Sequence, residues 1–327
     1  MQRVLQPGQI EALAQRSIPR VRLPDRNNVF SSRAARLREL AAGHAIGDYL
    51  RLMAVLVDAQ HAALLGLAAT PMFSPDSAQL AAARAHGMPL LHAAGQRRDN
   101  GWRNLLIRLC DHVTKIGNFP DRVGAVIAQI RQTPNERIEA LADALLTSAH
   151  ADVDAAKAPF VMAALQIGWV DAASRFALDD VQPLDVPGVC PVCGTLPVAS
   201  IIHTEQPYQG YRFLRCALCA TEWHMVRVTC TQCQATAGIH YHSIEGGSNE
   251  GEGGSIKGGP IKRAVESVRA ESCESCHTDR KVLYREKDPK VDPVADDLAT
   301  VTLDLLMTEA GYHRGSGNPL LWQNPEV

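Results

Sequence analysis

The sequence predicts an α+β protein of several domains: an all-α N-terminal domain, two small metal modules and a C-terminal helix. Three observations predict it. Up to about residue 182, apolar residues recur at three- and four-residue steps in an Ala- and Leu-rich background. Eight of the nine cysteines then fall between Cys190 and Cys276, all as Cys-x-x-Cys. Short β-type runs begin where the helical pattern stops, at Pro183 and Pro187. The 327 residues allow two or three domains at about 150 residues each. Apolar content of 46% allows a sizeable core, and only 5% aromatics favours helices packed through small side chains.

The helices follow in order. "SSRAARLRELAAGHAIGDYLRLMAVLVDAQHAALLGL" places Leu37, Leu40, His44, Ile46, Leu50, Met53, Val57 and Leu64 on one stripe, with Ser31 or Ser32 as N-cap and bends at Gly43 and Gly47. A second helix starts after Ser74-Pro75 and stops at Gly87, ahead of Pro89. "GWRNLLIRLCDHVTKIG" is a third, closed by Gly117, and its lone Cys110 reads as a buried small hydrophobe. "PDRVGAVIAQIRQ" starts at Pro120, and "PNERIEALADALLTSAH" has Thr133 as cap and Pro134 in the first turn. "VDAAKAPFVMAALQIGWVDAASRFAL" is the last long candidate, with Pro159 marking a kink or break. Five to seven helices in an irregular bundle are expected.

Beyond "DDVQPLDVPGVC" the strand candidates are "PVASIIHT", "YRFLRC", "EWHMVRVTC", "IHYHSIE" and "KVLYRE". "EGGSNEGEGGSIKGGP", from Glu245 to Pro260, holds seven glycines and reads as a mobile loop. The tail helix has Asp292 as cap, Pro293 in its first turn, Asp296 and Asp297 at its positive end, and Gly311 closing it. The expected domains are a helical domain over 1–182, a first metal module over 183–229, a second over 230–290 with its Gly-rich loop at 246–259, and a helix and tail over 291–327.

The cysteine pairs are Cys190/Cys193, Cys216/Cys219, Cys230/Cys233 and Cys273/Cys276, separated by 22, 10 and 39 residues. Each pair forms a knuckle, and two facing knuckles offer a tetrahedral S₄ set suited to zinc or a single iron. The 22- and 39-residue spacers are long enough to return the chain to the preceding knuckle, and the 10-residue spacer then links two sites. Sequential pairing is therefore preferred; interleaved pairing, first with third and second with fourth, is the alternative. "CPVCG" is the knuckle of both rubredoxins and zinc ribbons, so spacing specifies geometry and not the element; the other knuckles read "CALCA", "CTQCQ" and "CESCH". Disulfides do not fit a chain without a secretory signal, and iron–sulfur clusters use other spacings. His203, His224, His240, His242 and His277 are expected not to be ligands, and His240 and His242 share one strand face. Trp223 is expected to pack beside a knuckle, with a partner contact as the lesser option.

Charge and motifs exclude several classes. Net charge is −2, and Pro187 to Lys290 holds 12 Lys/Arg against 11 Asp/Glu. Metal-bound thiolates would make that region net negative, which opposes phosphate-driven nucleic-acid binding. The N-terminus lacks an apolar signal region and no run of about 18 apolar residues appears, so a cytoplasmic protein without membrane insertion is expected. P-loop, nucleophile-elbow and zincin motifs are absent, and no enzyme is expected.

Several runs together resemble the FdhE family of formate dehydrogenase accessory proteins: "RLPDRNNVFSSRAARLREL", "YLRLMAVLVDAQ", "CPVCGTLPVAS", "YRFLRCALCATEWHMVRVTCTQC", "AESCESC", "REKDPKVDPVADDLATVTLDLLM" and "GYHRGSGNPLL". The resemblance covers nearly the whole length. It implies a cytoplasmic maturation factor that acts on the catalytic subunit of respiratory formate dehydrogenase before export. It also implies rubredoxin-like iron at Cys190, Cys193, Cys216 and Cys219 and at Cys230, Cys233, Cys273 and Cys276, with zinc as the alternative metal. The competing functions are a soluble rubredoxin-like electron carrier or redox sensor, and a zinc-ribbon nucleic-acid binder. Client docking is expected near Trp223 and Arg227; self-association is left open.

Overall fold

The computed structural model describes residues 20–67, 72–147, 153–244 and 266–321. The Gly-rich run expected to be a loop lies outside them.

The first apolar stripe is two helices, α1 (Val29–Ala41) and α2 (Gly47–Leu65), packed against one another. Apolar spacing runs on through the break, but Gly43 takes φ +73°, the left-handed conformation in which a helix stops. His44 fixes the turn: its Nδ1 accepts the Ile46 N–H at 3.2 Å and its Nε2 donates to the Ala299 carbonyl at 2.8 Å. Neither Ser31 nor Ser32 caps α1. The helix starts earlier, where the Asp25 carbonyl accepts the Val29 N–H and the Asp25 side chain accepts the Asn27 N–H. Ser31 instead donates back to Asn27 within the first turn.

The remaining helices are α3 (Ser77–Ala85), α4 (Gly101–Ile116), α5 (Asp121–Gln132), α6 (Asn135–Thr147) and α7 (Ala158–Ala173). Asp76 and Gln79 form a reciprocal capping box on α3, and Gly117 closes α4 with φ +65°. Pro159 stands in the first turn of α7, where its missing N–H costs nothing, so it starts the helix and does not break it. Every residue of α7 is buried, as a helix apolar on all sides requires. It packs against α2, α4 and α6. Its Gln166 accepts from Gln60 at 2.9 Å and donates to the Ala217 carbonyl, in a cysteine knuckle, at 2.6 Å.

The strands are β1 (Val21–Arg22), β2 (Pro197–Ile202), β3 (Arg212–Cys216), β4 (Glu222–Met225), β5 (Ile239–His242), β6 (Val268–Cys273), β7 (Thr278–Tyr284) and β8 (His313–Arg314). They form one sheet in the order β1-β4-β3-β2-β7-β6-β5, with β8 paired to β7. Its centre is the parallel β2–β7 pair, in which Ser200, Ile201 and Ile202 face Val282, Leu283 and Tyr284. Both groups of cysteine pairs therefore sit on one continuous sheet. β1 reaches it from the N-terminal segment, pairing Val21 with Trp223.

The tail helix is broken into α8 (Ala295–Ala299) and α9 (Val301–Glu309). The break is at Thr300, whose hydroxyl donates to the Asp296 carbonyl at 2.8 Å. Asp292 caps α8, accepting the Val294 and Ala295 N–H groups. Asp296 and Asp297, expected at the positive end of the helix, are there and are fully buried in ion pairs. Asp296 holds Arg36 of α1, while Asp297 holds Lys281 of β7 and Arg314 of β8. No helix among the described residues is long and apolar enough to cross a membrane.

Candidate metal centres

Four knuckles of one design present the eight sulfurs. In each, the residue after the second cysteine takes a left-handed φ: Gly194 +75°, Ala220 +60°, Gln234 +64° and His277 +53°. Only the first is glycine, so three side chains accept a conformation that costs about 1 kcal/mol or more. In three knuckles the N–H of that residue donates to the carbonyl of the first cysteine: Gly194 to Cys190, Gln234 to Cys230 and His277 to Cys273. Inside the knuckle, the N–H groups of Leu218 and Cys219 point at Cys216 Sγ at 3.3 Å, and those of Gln232 and Cys233 at Cys230 Sγ at 3.4 and 3.5 Å.

The knuckles pair sequentially. Cys190, Cys193, Cys216 and Cys219 form one set and Cys230, Cys233, Cys273 and Cys276 the other, with the sulfurs of each set within 4.8 Å of one another. Contacts of 3.5 Å (Cys190–Cys219) and 3.3 Å (Cys193–Cys216) in the first set, and 3.6 Å (Cys230–Cys276 and Cys233–Cys273) in the second, are far too long for disulfides. They approach the edge of about 3.8 Å of a tetrahedron with metal–sulfur bonds near 2.3 Å. Each set can hold one metal ion. Burial and the neighbouring sulfurs push the Cys190 and Cys219 thiols well up. Cys216, despite its burial, is pulled well down by hydrogen bonds from Cys190, Cys193 and Cys219. Four thiols this close do not ionise together unless a cation neutralises them.

The surroundings differ. The Cys190/Cys193 knuckle lies under the α3–α4 connection, where Leu90, Leu91 and Ala93 donate N–H bonds to the Pro191, Val192 and Cys193 carbonyls. With Gln166 holding the other knuckle at Ala217, the first site is enclosed by the helical part. In the second site Cys230 and Cys273 are buried, Cys276 is half-buried and Cys233 is exposed.

Among the described residues, the groups that can hold a metal are these two sets, and the five histidines of the region stand outside them. His203 is buried between Glu205 (2.9 Å) and Glu222 (3.0 Å), and Arg22 joins both carboxylates. A backbone hydrogen bond together with His203, Arg285 and Arg22 holds Glu205 down at about 2 despite its partial burial, and His203, Arg215 and Arg22 hold Glu222 lower still. His240 reaches Glu274 and His242 reaches Ser272. Cys110 is buried, its thiol pushed up to about 12 by that burial. Of the two residues expected near a docking surface, Trp223 is buried on β4 and donates its indole N–H to the Pro187 carbonyl at 2.7 Å. Its ring is part of the packing ahead of the first knuckle. Arg227 is exposed between the exposed Val226 and Val228.

Two sets of supporting residues were not foreseen from sequence. The hydroxyl of Thr195 lies 3.1 Å from both Cys193 and Cys216 Sγ, that of Thr221 lies 3.1 Å from Cys219, and that of Thr278 lies 2.9 Å from Cys276. Each is two residues past the second cysteine, a Cys-x-x-Cys-x-Thr pattern that the remaining knuckle breaks with Ala235. Two buried arginines then join the sites. Arg212 of β3 bonds Ser200, the Thr229 carbonyl and Glu271 of β6; Arg280 of β7 bonds Thr231, the Pro197 carbonyl and Ser316.

Three family models match consecutive stretches: FdhE, N-terminal, over residues 18–185; FdhE, central domain, over 189–227; and FdhE, C-terminal domain, over 228–321. A Protein FdhE homolog of Cronobacter sakazakii is 36% identical over 324 residues, 98% of this chain and 97% of that protein. Protein FdhE of Salmonella paratyphi A is 38% identical over 306 residues, 93% of this chain and 92% of its own. The crystal structure of the FdhE protein from Pseudomonas aeruginosa has a TM-score of 0.74 and 34% identity, covering 93% of this chain and 99% of that one.

Proposed function

Because this chain belongs to the FdhE family, we propose that it is a formate dehydrogenase accessory protein. In this reading it binds the catalytic subunit of respiratory formate dehydrogenase in the cytoplasm, before export, and carries one iron ion on each four-cysteine set. The observation that carries the reading is the family match from residue 18 to residue 321 on a chain whose eight cysteines group into two closed sets. Four sulfurs at tetrahedral spacing leave no open position for a substrate, which favours an assembly role over metal-assisted catalysis. The exposed Val226–Val228 turn, with Arg227 at its centre, is the docking point we assign to the client, and buried Trp223 lies on the strand that leads into it.

Deleting the gene tests the accessory role: respiratory formate oxidation should disappear while the catalytic subunit is still made. Normal oxidation in the deletion strain refutes it. The metal is tested by anaerobic purification and elemental analysis, with two equivalents of iron expected. A second reading, as an electron carrier or redox sensor, is favoured by the exposed Cys233 edge. It requires a red protein that dithionite bleaches and a normal level of formate dehydrogenase activity without the gene. The nucleic-acid reading has no support from the nearly balanced charge of the sheet region.

A further inference from the structure

The two four-cysteine sets share one knuckle design and differ in how firmly the last ligand is held. Three observations converge on Cys233. It is exposed, whereas Cys190, Cys193, Cys216 and Cys219 are each at most 1% exposed. Its knuckle is also the one without a threonine two residues on. Thr195, Thr221 and Thr278 each bond a sulfur, whereas Ala235 in the equivalent place has no hydroxyl and reaches Cys233 through its backbone N–H alone. Finally, its neighbours Gln232 and Gln234 are exposed, while Pro191, Val192 and Leu218 of the first site are buried. Hydrogen bonds to a ligand fix its orientation, and loss of such support typically weakens metal binding by about 10–100-fold.

Resting on the proposed pair of metal sites, we propose that the second four-cysteine set is an exchange site that opens at Cys233 to a small external thiol, while the first is a locked structural site. The incoming thiol gives up its proton and its sulfur bonds to the metal. The Cys233–metal bond breaks, and Cys233 leaves as a thiolate that takes up that proton. No electron is transferred, and the metal keeps three protein ligands, Cys230, Cys273 and Cys276. The first set has no such entry: its knuckles are covered by Leu90–Ala93 on one side and tied to Gln166 on the other.

The test is metal release from the full chain loaded with zinc, mixed with an excess of a chromophoric chelator and increasing glutathione. One equivalent should leave about tenfold or more faster than the other. The fast phase should rise with glutathione and the slow phase should not. Ala235→Thr, which supplies the missing hydroxyl, should slow the fast phase several-fold and leave the slow phase alone. In the loaded wild-type chain, the first N-ethylmaleimide adduct should map to Cys233. Two equivalents leaving at one rate, a fast phase indifferent to glutathione or to Ala235→Thr, or a first adduct on the Cys190–Cys219 set overturns the exchange proposal alone. Loading of fewer than two equivalents overturns the two-site reading beneath it.

Discussion

Asp279 lies at the start of β7 with both carboxylate oxygens buried and without a hydrogen-bond partner. Burial pushes its carboxyl up from 3.8 to about 6, and Asp304 adds to the effect; Arg314, Lys281 and Arg280 oppose it without reversing it. A carboxyl whose pKa is higher folded than unfolded binds its proton more tightly in the native state. Its contribution is fully present below the unfolded value, about 4, and is lost as pH rises through about 6. At about 1.4 kcal/mol per pH unit, ionisation of Asp279 costs the native state about 3 kcal/mol at pH 8. Asp279→Asn removes that cost and keeps the shape. The variant should therefore be more stable than wild type by up to about 3 kcal/mol at pH 8, by about half that at pH 5, and by about 0.5 kcal/mol at pH 4. The assay is urea unfolding of the metal-loaded chain at each pH. With a slope of about 3 kcal/mol per M, the midpoint should shift by about 1 M at pH 8. A shift that is independent of pH, or a variant less stable than wild type at pH 8, would refute the reasoning. It would mean that Arg314, Lys281 and Arg280 outweigh burial at this position.

Three further outcomes follow from the packing around the metal centres. A Cβ at Gly188 would lie 2.3 Å from the Thr231 carbonyl oxygen. Both groups are backbone, so Gly188→Ala should cost about 2–3 kcal/mol in denaturant unfolding. Gln166→Leu keeps the volume but removes the bonds to Gln60 and Ala217. It should cost about 2 kcal/mol and speed metal loss from the first site, read as an accelerated slow phase of zinc release. Thr195→Val takes a hydroxyl from two sulfurs at once; competition with a chelator should show metal affinity of the first site lowered about 10–100-fold, with the second site unchanged.

Much of the helical part is legible because an apolar period of 3.6 marks each segment, and glycines or prolines end most of them. The break between α1 and α2 reads in sequence only as bends at Gly43 and Gly47, because Leu40, His44, Ile46 and Leu50 continue the stripe across it. What stops the helix is one backbone conformation at Gly43 and a histidine bond to Ala299, which is 255 positions away. The strand β6 is hidden for a different reason. "VRAESC" looks polar, and Glu271 is buried with partners from two other strands, Arg212 at 2.7 Å and the Tyr241 hydroxyl at 2.8 Å. The two groups of four cysteines are legible because each knuckle is local, and the 22-, 10- and 39-residue spacers favour the pairing found. The parallel β2–β7 pair is not, because pairing between distant strands leaves no local signal. The sulfur-bonded threonines are in plain view in the sequence, yet acquire meaning only once the sulfurs have positions.

The runs that carry the family resemblance outside the cysteines also change meaning with the structure. "RAARLREL" reads in sequence as part of an apolar helical stripe and "VDPVADDLAT" as a capped helix start, with no partner assigned to their charges. Several of the charges in the family runs are paired in the interior, while Arg38, Lys287 and Lys290 stay exposed. Arg33 holds Asp292, and Arg36 holds both Asp288 and Asp296. Lys281 and Arg314 share Asp297 and Asp304. Asn318 adds a bond to Asp297 and another to the Val294 carbonyl. Breaking one partner of a buried pair typically costs about 3–5 kcal/mol, because the remaining charge is left without compensation. Such residues restrict substitution whatever the surface does. The adjacent aspartates of α8 point their demands in two directions, one to the helical part through α1 and one to the sheet through β7 and β8. That short helix is the fastening between the helical part and the sheet that bears the metal sites. The motifs thus mark how the helical part and the sheet are joined.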